Sequence, residues 1–196
     1  MNPQSVGILI FDEVEVLDFC GPFEVFSSAS AEDRTRLYTA TIIAEKSDIV
    51  SCRGGLLVQP NHTIEDHPPL DIIVIPGGYG TRREIDNPRI IDWISAQHAD
   101  NALTTSVCTG AFLLAKTGLL DGKRATTHWG TIADIRSQFP AVNTLDDLRV
   151  VDEGQIITSA GVSAGIDMAL YVVERQHSHA IAATTARDME YDWRDA

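Results

Sequence analysis

Basic residues, cysteines and long apolar runs are all scarce in this chain. Of its 196 residues, 15 are Lys or Arg against 28 Asp or Glu, a formal net charge of −13. That balance excludes a phosphate-tracking surface, because nucleic-acid binding needs cations to replace condensed counterions. It equally disfavours anionic membrane surfaces. No apolar run approaches the roughly 20 residues that span a bilayer. The run over 6–11 is short and meets Asp12, which is not a secretory layout. Three cysteines, Cys20, Cys52 and Cys108, form no disulfide framework. A cytoplasmic protein with reduced thiols is expected. Gly77-Gly78-Tyr79-Gly80 lacks dinucleotide spacing and the acidic residue that should follow. His177 and His179 would face different sides of a helix and have no partner cysteines at metal spacing. Neither a cofactor nor a metal is expected, and the partner implied is a small molecule.

What is present is a regular alternation. Apolar β-rich runs over 6–11, 38–44, 71–75 and 103–107 are separated by amphipathic stretches. The run 71–75 is continuously apolar and closed by Pro76-Gly77-Gly78, as in a strand buried on both faces of a parallel sheet. Segments 49–52 and 56–58, around Arg53-Gly54-Gly55, predict a hairpin, and so do 148–152 and 156–159 around Glu153-Gly154. Asn87-Pro88 opens a helix. Further helices are expected over 109–116, 130–139 and 161–176, with a short strand at 126–127. Within 14–29, Gly21-Pro22 reads as a turn before a helical stretch around Phe23, Val25 and Phe26. The pattern predicts one α/β domain over 1–196 with a mostly parallel sheet, its site beyond the strands' carboxyl ends.

One junction there carries chemistry. In Thr104-Thr105-Ser106-Val107-Cys108-Thr109-Gly110 an apolar strand runs directly into a helix, with a cysteine at the corner. This is the pattern of a nucleophile elbow, whose tight turn demands small residues such as Ser106 and Gly110. The elbow should hold the sulfur exposed, and the helix amino terminus beneath it should favour thiolate. The plainer alternative is a small apolar filler. Cys20, beside Gly21-Pro22, and Cys52 are expected to be structural.

Supporting groups follow from the same logic. If the strands ending at Ile75 and Val107 are neighbours, Gly77 and Gly78 lie beside Cys108. The Gly78 and Thr109 amides could then form an oxyanion hole, or the glycines could serve an ordinary turn. Asp18, embedded in Val16-Leu17-Asp18-Phe19-Cys20, is either a cap or Asx-turn residue or a general acid/base facing Cys108. In the second case the thiolate and low polarity should raise its pKa. His128 is either a Cys–His partner or a structural ring packed beside Trp129. Asp167 either orients a histidine or caps the last helix.

These segments together resemble the ThiJ/PfpI superfamily, with its glutamine amidotransferase-like fold. The resemblance runs from Gly7-Ile8-Leu9-Ile10-Phe11 and Leu17-Asp18-Phe19-Cys20-Gly21-Pro22 through Ile75-Pro76-Gly77-Gly78 and Ser106-Val107-Cys108-Thr109-Gly110. It continues to Gly118-Leu119-Leu120-Asp121-Gly122, Ala125-Thr126-Thr127-His128-Trp129 and Ser163-Ala164-Gly165-Ile166-Asp167. It implies a flavodoxin-like three-layer sandwich and a homodimer. The sequence is most similar to the branch containing isocyanide (isonitrile) hydratase and to the amino-terminal domains of AraC-type regulators. For the hydratase branch the resemblance implies Cys108, Thr109 and Asp18 as catalytic residues. Tyr79, Trp129 and Val162 are then expected to shape the pocket. The Cys–His–Glu triad of glutamine amidotransferases is absent near the carboxyl end. The expected activity is addition of water to an isocyanide through a cysteine thioimidate. A ligand-binding or oxidant-sensing regulatory domain, or a cysteine enzyme acting on glyoxals or peptides, are the alternatives. The regulators carry a helix-turn-helix region for which this chain is expected to have no room.

Overall fold

The structure is a computed structural model that describes residues 2–100 and 102–193. In chain order its elements begin with β1 (Gln4–Ile10), α1 (Val16–Ser28), β2 (Tyr38–Ala44), β3 (Val50–Ser51), β4 (Leu57–Val58) and β5 (His62–Thr63). Next come β6 (Ile72–Ile75), α2 (Thr81–Glu84), α3 (Pro88–Ala99), β7 (Leu103–Val107), α4 (Gly110–Lys116) and β8 (Arg124–Ala125). The last are α5 (Ile132–Gln138), β9 (Asn143–Thr144), β10 (Val150–Asp152), β11 (Ile156–Ser159), α6 (Ala164–Gln176) and α7 (His179–Asp188).

Seven strands form one sheet in the order β10-β11-β7-β6-β1-β2-β5, parallel throughout except for the β10–β11 hairpin. Every residue of β6 is buried, because helices cover both faces: α1, α6 and α7 pack together on one side, α3 and α4 on the other. Each such Ile or Val contributes about 1.5–3 kcal/mol by leaving water. The chain leaves β1 for β2 on one side and later returns to place β6 on the other. The sheet's switch point therefore lies between β1 and β6, where open α/β sheets form their crevice. The parallel sheet, the helix opened by Asn87-Pro88 and both hairpins match the sequence pattern. Asn87 caps α3 by accepting from the Arg89 N–H.

Four expectations need correction. Gly21-Pro22 is not a turn but lies inside α1, where Gly21 faces Ile166 and Pro22 faces Gly165. The small Gly21 and Gly165 let α1 and α6 approach closely there, so packing overrides the breaker signal. The short strand is at Arg124–Ala125 and not at 126–127, where the Thr126 N–H donates to Thr158 Oγ1 and the Thr127 hydroxyl to the Cys108 carbonyl. Helix α6 begins at Ala164 because Val162 adopts φ 55°, outside the helical region. Finally, His177 and His179 share no helix: His177 ends α6, and a new helix, α7, starts after Ser178, whose hydroxyl accepts from the Ile181 N–H.

The elbow sits where β7 meets α4, and its tightness is set across the sheet. A methyl group on Gly110 would fall 2.0 Å from the Ile75 carbonyl oxygen on neighbouring β6. Gly110 must be small for that strand, not for Ser106 as the local pattern suggested. Gly110→Ala is therefore expected to cost about 3 kcal/mol or more, seen as an earlier midpoint in urea unfolding.

Candidate active site

Three strand ends converge. Asp18 stands in the first turn of α1 after β1, Gly77 and Gly78 follow β6, and Cys108 and Thr109 follow β7. Cys108 has φ 56° and Val162 has φ 55°, two non-glycine residues in the left-handed region around one carboxyl. Such conformations cost of order 1–3 kcal/mol each and persist only where the surroundings fix them. The Cys108 N–H is held by the Ser159 and Ala160 carbonyls, both at 3.2 Å, and its carbonyl by the Thr127 hydroxyl at 2.7 Å. The elbow is locked by β11 and by the segment before His128.

Asp18 is fully buried. Its Oδ2 accepts from the Gly77 N–H at 2.9 Å, while Oδ1 has no hydrogen-bond partner of normal geometry among the described residues. Burial, with a smaller push from nearby Glu15, takes the carboxyl up to about 7. The Gly77 amide, the Cys108 thiol and the Val162 amide pull the other way. Gly77 allows this approach: a methyl there would meet the Thr109 amide nitrogen at 2.5 Å and Asp18 Oδ2 at 2.9 Å.

Cys108 departs from the exposed thiolate expected of an elbow. It is only 7% exposed, and burial, with Asp18 close by, pushes its thiol up to about 12. The Thr109 amide and hydroxyl stabilise the thiolate but do not outweigh desolvation. The sulfur sits in a dry corner beside a carboxyl, and that sets the direction of its shift. The carboxyl opposes ionisation of the thiol, while the thiol as a donor eases that of the carboxyl, so the pair gives up its first proton from Asp18 and keeps the one on sulfur.

The remaining candidates separate. The Gly78 N–H is taken by Thr109 Oγ1 at 3.0 Å and the Gly77 N–H by Asp18, so neither glycine amide is left for an oxyanion. Val162 lies beside Asp18 through its amide. His128 Nδ1 accepts from the Gly130 N–H at 3.1 Å, and the ring packs on Gly161 and tilts against Trp129, which is 82% exposed. His128 thus has partners in Gly130, Gly161 and Trp129, and none at Cys108 among the described residues. Tyr79 is half exposed at the rim, its ring beneath the guanidinium groups of Arg53 and Arg82. Asp167 neither caps α6 nor meets a histidine: it pairs with Arg149 and accepts from the Tyr191 hydroxyl. Cys20 lies in α1, and Cys52 is buried at the end of the β3–β4 hairpin strand. Burial raises both thiols. Sequence reasoning missed Thr81 and Arg53, whose only signal was proximity to Gly78 and to the hairpin glycines. Among the described residues no group of three or more His, Cys, Asp or Glu could hold a metal ion, and no helix is long and apolar enough to cross a membrane.

The DJ-1/PfpI family model matches residues 4–175, the span that carries the sheet and all three converging strand ends. The chain belongs to the DJ-1/PfpI family. Among DJ-1/PfpI relatives it is 36% identical to the isonitrile hydratase of Pseudomonas putida, over 95% of this chain and 78% of that protein. It is 28% identical to the HTH-type transcriptional regulator GbdR of Pseudomonas aeruginosa over 97% of this chain, spanning about half (52%) of the regulator. A ThiJ/PfpI family protein from Pseudomonas syringae superposes with a TM-score of 0.87 at 30% identity, covering 99% of this chain and 77% of that one.

The raised carboxyl fixes the sign of a stability effect in this DJ-1/PfpI chain. Below about pH 4 Asp18 is protonated both folded and unfolded, so its shift is fully stabilising. Between there and about pH 7 the unfolded form ionises first, and that stability is lost as pH rises. Asp18→Asn is thus expected to melt above the wild type at pH 8 and to converge with it at pH 4. Thermal unfolding at the two pH values checks this.

Proposed function

We propose that this protein hydrates isocyanides to N-substituted formamides, with Cys108 as nucleophile and Asp18 as the proton carrier. The observation that carries this is a buried thiol and a buried carboxyl, raised to about 7, close enough for the thiol to act on the carboxyl as a donor. The 36% identity to an isonitrile hydratase over 95% of the chain supports it.

An isocyanide carbon accepts a soft nucleophile and must gain a proton as the new bond forms. In the singly protonated pair, Asp18 takes the thiol proton as sulfur attacks, then delivers it to that carbon. The product is a thioimidate, R–N=CH–S, on Cys108. Water next adds to the same carbon, with Asp18 accepting a proton from it as a base and passing it to nitrogen. Collapse breaks the C–S bond, releases R–NH–CHO and returns the proton to sulfur. The sum is one isocyanide plus one water, with no net change in the enzyme. The Thr109 amide donates to sulfur, and its hydroxyl, 3.3 Å from the Gly78 carbonyl, steadies the thiolate when its proton turns to sulfur. Dry surroundings suit the step, since they strengthen every charge interaction and exclude stray protons.

Purified protein mixed with alkyl and aryl isocyanides is expected to yield formamides, and Cys108→Ala and Asp18→Ala to lose at least about 10²-fold in kcat/KM. The reactive form holds one proton on the pair, so kcat/KM should rise with pH through about 7 as Asp18 gives up the extra one. Wild type and both variants equally inert across several isocyanides would sink the hydratase reading. Ligand binding without turnover would then favour a regulatory role, as the similarity to GbdR over 97% of this chain allows. Oxidant sensing is the weaker form of that role, because a buried thiol pushed up to about 12 is a poor target for peroxide.

The soluble unit we propose is a cytoplasmic homodimer acting on a small molecule. Ile49, Leu56 and Leu57 on the β3–β4 hairpin and Leu17 on α1 are exposed apolar side chains that we expect a second copy to cover. Sedimentation equilibrium is expected to give twice the chain mass, and Leu57→Glu to shift it toward one.

A further inference from the structure

Around Thr109 the donors of Gly78, Thr81 and Thr109 compete for two oxygens, Thr109 Oγ1 and the Gly78 carbonyl. Its Oγ1 accepts from the Gly78 N–H at 3.0 Å and lies 3.1 Å from the Thr81 hydroxyl, which donates toward it. Its own single proton has two destinations: the Gly78 carbonyl, 3.3 Å away, or the Cys108 sulfur, whose thiolate it stabilises. Only the second destination helps the nucleophile.

Thr81 decides between them. It is buried, at the head of α2, and its hydroxyl stands 2.8 Å from the Gly78 carbonyl, closer than Thr109 does. Its backbone N–H reaches the same oxygen at 3.3 Å. A carbonyl has two lone pairs, and Thr81 supplies a donor for each. When the Thr81 hydroxyl turns instead to Thr109, one lone pair of the carbonyl is freed, so it is the Thr81–Gly78 bond that denies the Thr109 proton the carbonyl. Gly78 is itself held open at φ 130°, its backbone packed against Glu13 and Glu15, so the loop cannot swing away to relieve the competition.

We infer that Thr81 is a positioning residue that directs the Thr109 hydroxyl proton onto the Cys108 sulfur by occupying the Gly78 carbonyl. This rests on Cys108 being the nucleophile, as proposed above. Removing the Thr81 hydroxyl opens the carbonyl, the Thr109 proton turns to it, and the thiolate loses a donor. Burial already disfavours that thiolate, so the loss is felt directly. Restoring any hydroxyl at position 81 restores the arrangement.

The experiment is a double-mutant cycle read on the thiol itself. Iodoacetamide labelling of Cys108 in the whole protein is followed by peptide mass spectrometry across pH, for wild type, Thr81→Val, Thr81→Ser, Thr109→Val and Thr81→Val/Thr109→Val. Thr81→Val is expected to slow labelling at pH 8 about tenfold, the change in thiolate fraction for a pKa raised by about one unit. Thr81→Ser should stay within about twofold of wild type. In the Thr109→Val background Thr81→Val should do nothing further, because its effect passes through a hydroxyl no longer there. A merely structural threonine would slow labelling equally in both backgrounds, and that additivity overturns the inference, as does an unchanged profile in Thr81→Val. If Thr81→Val does not give the wild-type circular dichroism spectrum, Thr81→Ala carries the same cycle. On the same samples kcat with an isocyanide should fall while KM holds. A Thr81-dependent thiol in a protein that turns over no isocyanide supports the positioning role and removes the hydratase proposal, so the two can fail separately.

Discussion

The structure depends on keeping one carboxyl dry. Asp18 is buried at the switch point of the sheet, with one oxygen held by the Gly77 amide and the carboxyl otherwise facing the Cys108 thiol and the Val162 amide. A carboxyl in so dry a place is costly to ionise, and two left-handed residues beside it add strain of about 1–3 kcal/mol each. Nothing in packing alone requires these expenditures. They are sustained by the fully buried central strands, and they leave a group that can take and return a proton near neutral pH.

Burial, more than the helix dipole, sets the character of this elbow. An elbow cysteine over a long, solvent-facing helix end would be a standing thiolate. Here the sulfur is covered and a carboxyl lies alongside, so the thiol holds its proton until something draws it off. In the function proposed here, the two groups work as one unit, ionising by an internal transfer that needs no bulk solvent. The loop from Gly77 to Thr81 joins that unit on its far side, because its amides and hydroxyls serve Asp18 and Thr109 in turn.

Family membership limits function without fixing it. The chain is similar over nearly its whole length both to an isonitrile hydratase and to a transcriptional regulator. A fold alone does not determine chemistry. The Asp18–Cys108 pairing is therefore the informative feature here, more than the sheet that presents it.

Periodicity and junction residues made much of this legible in advance. Continuous apolar runs gave parallel strands because both sheet faces are covered, and Val107-Cys108-Thr109-Gly110 marked the elbow because few residues tolerate that turn. Asp18 could be singled out as an acid set among apolar neighbours, though whether it capped a helix or faced a sulfur was undecidable from spacing. Only the assembled structure resolved that, since the answer depends on β1, β6 and β7 lying side by side. Tertiary contacts also turned Gly21-Pro22 from a turn into a helix crossing and gave the Gly78 N–H to Thr109. They raised the thiol's pKa where local sequence predicted it would fall. Local sequence carries propensity and chemistry; desolvation and donor competition are properties of neighbours that meet only when the chain has folded.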